Sequence, residues 1–293
     1  MYAGQIVQFV IGIIMARLLT PDDYGIIAMI TMFLCLSNSI IGAGFPTALL
    51  RKNNCTQVDL STVFFTNCAI SIVLYFFLWI ASPWIADFYS QPLLVSVTRA
   101  MGITFVIGSL GAVSETILKK ELRFKTIATI TLIVQIVTGG IAIFFAYNGS
   151  GVWALVLQSI FGTCFRAILV IYKTRWFPNA IFSVDSFREL FGFGSKVLGS
   201  NIITQLYSNM YSLLIGRFFT PASVGFFTRA DGYSRLIPIN IAGVIQKTLF
   251  PMLAKIQDDE TRLVDFNNRM TKITSFIIFP ASMIMAGMAY PII

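Results

Sequence analysis

Long apolar runs, most of them close to twenty residues, are the feature that most constrains how this chain can fold. A helix needs about 20 residues to cross the hydrocarbon core of a bilayer. The runs are continuous, and backbone polar groups must be paired inside lipid, so helices are favoured over a barrel. The sequence predicts nine spans, at 5–19, 26–48, 61–82, 96–117, 127–147, 151–172, 193–215, 224–248 and 272–293.

Composition supports this prediction and excludes several kinds of chemistry. With 56% hydrophobic and only 12% charged residues, the chain has too little polar surface to cover a water-soluble globule. We therefore predict an all-α, polytopic membrane helix bundle. Histidine is absent, and no P-loop or GxGxxG segment occurs, so His-ligated metal sites and nucleotide binding are not expected. We predict a protein without cofactor or metal that is not an enzyme.

Basic residues are concentrated in alternate loops, after spans two, four, six and eight. Cytoplasmic loops carry the excess of Lys and Arg in membrane proteins, so these four loops are predicted to face the cytoplasm. This places the N-terminus inside. The net charge of +8 is explained by this topology, and because the basic residues are not gathered on one face, we predict no binding of nucleic acid.

The chain also contains an internal repeat with a period of 200 residues. Residues 16–25 read ARLLTPDDYG and residues 216–225 read GRFFTPASVG, and the same offset pairs Gln5 with Gln205. In a membrane protein, such a duplication is typical of a transporter whose two halves enclose a substrate path. We predict an N-terminal six-helix lobe at 1–172, a cytoplasmic linker at 173–192 and a C-terminal lobe at 193–293. The second copy ends early, so we expect a complete duplication to add about 100 residues.

The Thr-Pro turns of the repeat have a local explanation. Thr20 and Thr220 are suited to cap the helix that follows, and Pro21 and Pro221 suit its first turn. Paired aspartates at 22 and 23 could instead hold a metal and a diphosphate, as in a lipid-linked sugar transferase. The equivalent turn of the second copy has Ala and Ser, which argues against that alternative.

Two predicted spans carry polar side chains along one helical face. In span seven the spacing of four, three and four stacks these residues, and span one has amides at similar spacing. Polar groups in such helices must face protein or water, so we predict that both stripes line a shared interior. Plain hydrogen bonding between helices is the alternative. The residues are Asn201, Gln205, Ser208 and Ser212 in span seven and Gln5 and Gln8 in span one.

Span eight contains three charged residues at a predicted depth of about 12 to 21 Å below the outer surface. Asp231 and Arg235 are four positions apart and can neutralise one another. Arg229 has no acid three or four positions away, and its guanidinium suits a phosphate-bearing ligand. A structural ion pair with a neighbouring helix is the alternative. Tyr233 and Asn240 are predicted to extend the same lining.

An ordered set of motifs resembles the bacterial polysaccharide flippases of the Wzx type. These belong to the multidrug, oligosaccharidyl-lipid and polysaccharide exporter superfamily. The similarity runs through the whole chain. The motifs are ARLLTPDDYG, GAGFPTALLRK (42–52), DLSTVFFTN (59–67), KKELRFK (119–125), GVWALVLQ (151–158), FRELFGFGSK (187–196), LLIGRFFTPASVGFFTRAD (213–231) and LFPMLAKIQDDETRL (249–263).

The resemblance implies twelve to fourteen helices in two pseudo-symmetric lobes in the bacterial inner membrane. It implies transport of an undecaprenyl-pyrophosphate-linked oligosaccharide to the outer leaflet, with Arg229 facing the pyrophosphate and polysaccharide polymerase machinery as a downstream partner. The family often has an acidic residue in span seven, and this sequence lacks it near 209–216. Two alternative functions remain open. One is a small-molecule or cation exporter of the same superfamily, and the other is a membrane glycosyltransferase or polymerase.

Overall fold

The computed structural model describes residues 2–52, 55–232, 234 and 260–287. Within these residues the chain is helical and contains no strand, which confirms the predicted all-α class. The helices are α1 (Tyr2–Leu18), α2 (Pro21–Ala43), α3 (Phe45–Arg51), α4 (Gln57–Tyr89), α5 (Leu93–Lys120), α6 (Phe124–Tyr147), α7 (Val152–Thr174), α8 (Val184–Phe218), α9 (221–232) and α10 (Glu260–Gly287).

Local sequence explains where two of the long helices begin. Thr20 caps α2 by accepting a hydrogen bond from the Asp23 backbone, and the Asp23 carboxylate accepts one from the Thr20 backbone. Thr56 and Asp59 form the same reciprocal pair at the start of α4. Each capping box satisfies backbone donors that a helix cannot pair internally.

Five segments of the described chain are long and apolar enough to cross a membrane, which agrees with predicted spans two to six. They are Pro21–Arg51, Gln57–Tyr89, Leu93–Lys120, Phe124–Tyr147 and Val152–Thr174. The first predicted span corresponds to a shorter apolar helix, Gly4–Leu18. Helix α8 covers predicted span seven, and α10 covers predicted span nine as far as Gly287; both helices are more polar than these five segments. Predicted span eight continues past residue 232, outside the described residues. The protein is therefore a multi-pass membrane protein.

The chain forms two compact units, Met1–Gly225 and Phe226–Ile293. In the first unit, α5 packs against α2, α3, α4, α6 and α7, while α1 packs along α6 and α8 packs along α2. Small residues allow close packing: a Cβ added to Gly111 of α5 would lie 3.0 Å from the Cα of Ala167 in α7. Such close approach is the usual basis of helix association in lipid.

The segment between α7 and α8 is tied to the start of α4 by four hydrogen bonds. The Gln57 amide donates to the Phe177 carbonyl and accepts from the indole of Trp176. The backbone amides at 179 and 183 donate to the hydroxyls of Ser61 and Thr62. These contacts fix the direction in which α8 leaves the connector. The predicted division into two lobes around a 173–192 linker stays a prediction.

Candidate functional site

The two copies of the repeat meet in the structure. Thr220 repeats the cap of Thr20, because its hydroxyl accepts a hydrogen bond from the Ser223 backbone. A Cβ added to Gly25 of α2 would collide with the carbonyl oxygen of Pro221, and one added to Gly225 of α9 would collide with that of Pro21. The two helix starts therefore cross in reciprocal contact, and each glycine leaves room for the other backbone.

The polar stripe of predicted span seven lies on α8. Asn201, Gln205 and Ser212 are half-buried, whereas Ser208 is exposed. Asn209, which is not among the predicted residues, joins the stripe because its amide donates to the backbone carbonyl and side-chain oxygen of Gln205, at 2.9 and 3.3 Å. Asn209 follows Gln205 by four positions, so the helical period was a sufficient signal for it.

The stripe of predicted span one lies on α1, where Gln5 and Gln8 are both exposed. Gln8 accepts a hydrogen bond of 3.5 Å from the amide of Gln135 in α6. In the described residues α1 packs on α6, whereas α8 packs on α2, α3 and α4. That the two stripes face a common cavity stays a prediction.

Of the three charged residues in predicted span eight, two lie among the described residues. These are Arg229 and Asp231, which lie in α9 and are half-buried. At the helical rise, Arg229 is about 12 Å along the axis from Pro221. Tyr233, Arg235 and Asn240 lie outside the described residues.

A second charged cluster, between α5, α6 and α7, was not predicted as a site. Arg166 donates through Nε to Glu115 at 3.0 Å and through Nη1 to Thr131 at 3.2 Å. Lys119 contacts the other oxygen of Glu115 at 2.9 Å, as expected for a pair four positions apart at the membrane edge. The signal for Arg166 was present in the sequence, because a charge inside predicted span six is costly in lipid.

A third cluster, of one lysine and two carboxylates, joins α8 to the segment between α3 and α4. Lys52 contacts the carboxylate of Asp59 at 3.1 Å and that of Glu189, at the start of α8, at 2.8 Å. Glu189 is mostly exposed and Asp59 is buried. The hydrogen bond with Glu189 is the largest cause that raises the pKa of Lys52 above its ordinary value, so the ammonium is charged at neutral pH.

Two observations concern the alternative in which acidic residues hold a metal and a diphosphate. Asp23, one of the paired aspartates considered for a metal and diphosphate, is engaged in the cap of α2. The described residues contain no group of three or more His, Cys, Asp or Glu side chains placed to hold a metal ion.

Comparison with known proteins identifies relatives across most of the chain. A family described as "Polysaccharide biosynthesis protein" matches residues 14–293. Teichuronic acid biosynthesis protein TuaB of Bacillus subtilis is 26% identical over 94% of this chain and 57% of its own length. Lipopolysaccharide biosynthesis protein WzxC of Escherichia coli is 23% identical over 92% of this chain and 55% of its own length.

The name of a third relative refers to transport. Succinoglycan biosynthesis transport protein ExoT of Rhizobium meliloti is 22% identical over 97% of this chain and 58% of its own length. The chain thus spans a little over half the length of these relatives. No solved structure matches the chain significantly. The family match confirms the resemblance drawn from the motifs.

Proposed function

The chain belongs to the polysaccharide biosynthesis protein family, and we propose that it acts in a flippase for undecaprenyl-pyrophosphate-linked oligosaccharide. The protein would move this substrate from the cytoplasmic to the periplasmic leaflet of the bacterial inner membrane, with its N-terminus in the cytoplasm. Polysaccharide polymerase machinery would take up the product. The multi-pass helical architecture and the transport protein ExoT among the relatives support the proposal.

The reciprocal crossing at Gly25 and Gly225 is the observation that carries the proposal. Two related helix pairs meet at equivalent positions, as in transporters built from structural repeats. In such proteins one half rocks against the other, and the substrate site becomes accessible from alternate sides of the membrane. We propose that the close backbone contact at the crossing acts as a pivot for this motion.

The polar residues of α1 and α8 are proposed to contact the sugars of the head group. Gln205, Asn209 and Ser212 supply amide and hydroxyl groups suited to sugar hydroxyls. Arg229 supplies a guanidinium whose planar fork matches two phosphate oxygens. The prenyl chain would stay in lipid, where it needs no polar partner.

The rival functions make different demands on the same residues. A drug-cation exporter would need deep acidic groups, and among the three charged residues of predicted span eight only Asp231 is acidic. A glycosyltransferase or polymerase would usually use a metal-binding acid cluster or a large outside loop. A transporter needs neither a metal-binding acid cluster nor a large outside loop, and the polar stripes on its helices are suited to a substrate path.

An export assay in a strain that lacks its own flippase tests the proposal. The full-length protein should restore surface polysaccharide and remove lipid-linked repeat units that accumulate in the cytoplasmic leaflet. A strain that instead gains resistance to cationic drugs, with no change in polysaccharide, would contradict the proposal and favour the drug-exporter alternative.

A further inference from the structure

The cluster around Arg166 lies at one level of the first unit. The helical rise places Arg166 about 12 Å from Thr174, the end of α7, and Glu115 about 7 Å from Lys120, the end of α5. Thr131 lies about 10 Å from Phe124, where α6 begins. All three helix ends adjoin basic loops predicted to be cytoplasmic, so we expect the cluster to lie in the cytoplasmic half of the membrane.

The charge balance of the cluster favours an anion. Arg166 and Lys119 contribute two positive charges, and Glu115 contributes one negative charge. Glu115 is already bonded to both cations, at 3.0 and 2.9 Å, so a metal cation or ammonium would meet an excess of positive charge. Buried or half-buried charges in such helices usually mark substrate or ion paths.

Arg166 is held in place and yet accessible. Glu115 fixes its Nε and Thr131 its Nη1, while Nη2 has no hydrogen-bond partner in the described part of the chain. The Arg166 side chain is 35% exposed, against 22% for Glu115. With Nε and Nη1 each engaged, the two N–H groups of Nη2 are available, so the guanidinium is held ready to donate to phosphate oxygens.

Polar side chains continue from the cluster toward α1. Gln135 lies one turn beyond Thr131 on α6 and donates to Gln8 of α1. The Gln135 side-chain oxygen is buried and has no hydrogen-bond partner among the described residues. A series of polar side chains thus runs from Lys119, near the end of α5, to Gln8 on the polar face of α1.

We propose that Arg166 is a phosphate-recognising residue of the N-terminal bundle, and that it binds the diphosphate of a prenyl-linked substrate. This inference rests on the proposed function and adds a recognition residue in a helix that the sequence analysis left out of the site. Glu115 and Thr131 are positioning residues, because they orient the guanidinium without contacting the ligand.

Binding of farnesyl pyrophosphate to the full-length protein in nanodiscs tests the inference. Farnesyl pyrophosphate carries the prenyl chain and the diphosphate, farnesol carries only the chain, and inorganic pyrophosphate only the anion. The Arg166→Gln variant should lose about tenfold or more in affinity for farnesyl pyrophosphate, because charge-assisted hydrogen bonds are removed. Farnesol binding should not change. Inorganic pyrophosphate should compete with farnesyl pyrophosphate on the wild type but not on Arg166→Gln.

The matched control is Arg99→Gln. Arg99 is also an arginine within a long apolar helix, and it bonds Ser82 at 3.0 Å and stacks on Trp79. This variant should bind farnesyl pyrophosphate as the wild type does. Glu115→Gln separates recognition from structural support, because it removes the negative charge and keeps an acceptor for Arg166. It should lose less affinity for farnesyl pyrophosphate than Arg166→Gln does.

Wild-type affinity in Arg166→Gln would overturn the inference, and so would an equal loss in Arg166→Gln and Glu115→Gln. If Arg166→Gln does not fold, Arg166→Lys decides, because Lys keeps the charge but not the guanidinium. Its affinity for farnesyl pyrophosphate should fall, and wild-type affinity would reject recognition by the guanidinium. If Arg229→Ala loses binding while Arg166→Gln does not, this inference fails and the proposed function stands. If the wild type binds farnesyl pyrophosphate no better than farnesol, both fail.

Discussion

At the residue scale, Lys52 joins groups that are far apart in the sequence. Its ammonium neutralises the buried Asp59 at the start of α4 and also reaches the exposed Glu189 of α8. Lys120 adds a hydrogen bond to the Lys52 carbonyl from the end of α5. Four helices therefore meet around one backbone segment, and among the described residues Lys52 is the cation that contacts the Asp59 carboxylate.

Replacement of Lys52 by Met should destabilise the protein more than replacement of Glu189 by Gln. Loss of Lys52 leaves a buried carboxylate without its cation, which costs about 3 kcal/mol, whereas an exposed partner contributes at most about 1 kcal/mol. Thermal unfolding of the purified protein in detergent measures the difference. An equal fall in midpoint for the two variants would contradict this view of Lys52.

Arg229 is the residue on which the proposed substrate contact depends. Arg229→Ala should abolish polysaccharide export, and Arg229→Lys should impair it by about tenfold, because Lys keeps the charge but not the two parallel hydrogen bonds. Export is measured as surface polysaccharide at equal protein abundance in the membrane. Wild-type export by Arg229→Ala would remove this residue from the mechanism.

At the element scale, the crossing of α2 with α9 depends on the absence of side chains. Gly25 and Gly225 each face the backbone of the opposite Thr-Pro turn. Any Cβ would push the two helix starts apart, and both backbones belong to capped helices that cannot easily shift. The sequence repeat predicts two similar turns but not their contact.

Gly25→Ala should therefore lower stability by about 1 to 3 kcal/mol, since overpacking forces the backbone to move. Gly42→Ala is the control: Gly42 is in the same helix, and a Cβ there would meet no atom within 4 Å. Alanine at this position should be neutral or stabilising by up to about 1 kcal/mol. Thermal midpoints of the two variants in the same detergent check the prediction. Equal midpoints would show that the crossing tolerates a side chain.

At the scale of the whole molecule, the distribution of basic loops predicts the orientation in the membrane. A reporter fused after Lys125 or at Asp258 should be active as a cytoplasmic fusion, and one at Asn148 as a periplasmic fusion. Asp258 lies outside the described residues, so this prediction rests there on the sequence. An inverted result at any of the three positions would overturn the nine-span model.

The sequence alone determined the class of the protein, the positions of most helices and the repeat. Continuous apolar runs can only be helices in lipid, and Thr56 and Thr20 begin helices through contacts within three residues. Such information is local, and a period or a cap can be recognised without knowledge of the fold. The polar stripe on α8, which includes Gln205, was predicted from the helical period, and that period is also local information.

Only the tertiary structure decided which helices meet. The contacts of Arg166 with α5 and α6, of Lys52 with α8, and of Gly25 with Pro221 join residues that no periodicity connects. Lipid is as apolar as the side chains it surrounds, so burial gives little preference for one neighbour over another, and close packing and interhelical hydrogen bonds select the partners. Those interactions depend on three-dimensional fit, which becomes visible only when the helices are assembled.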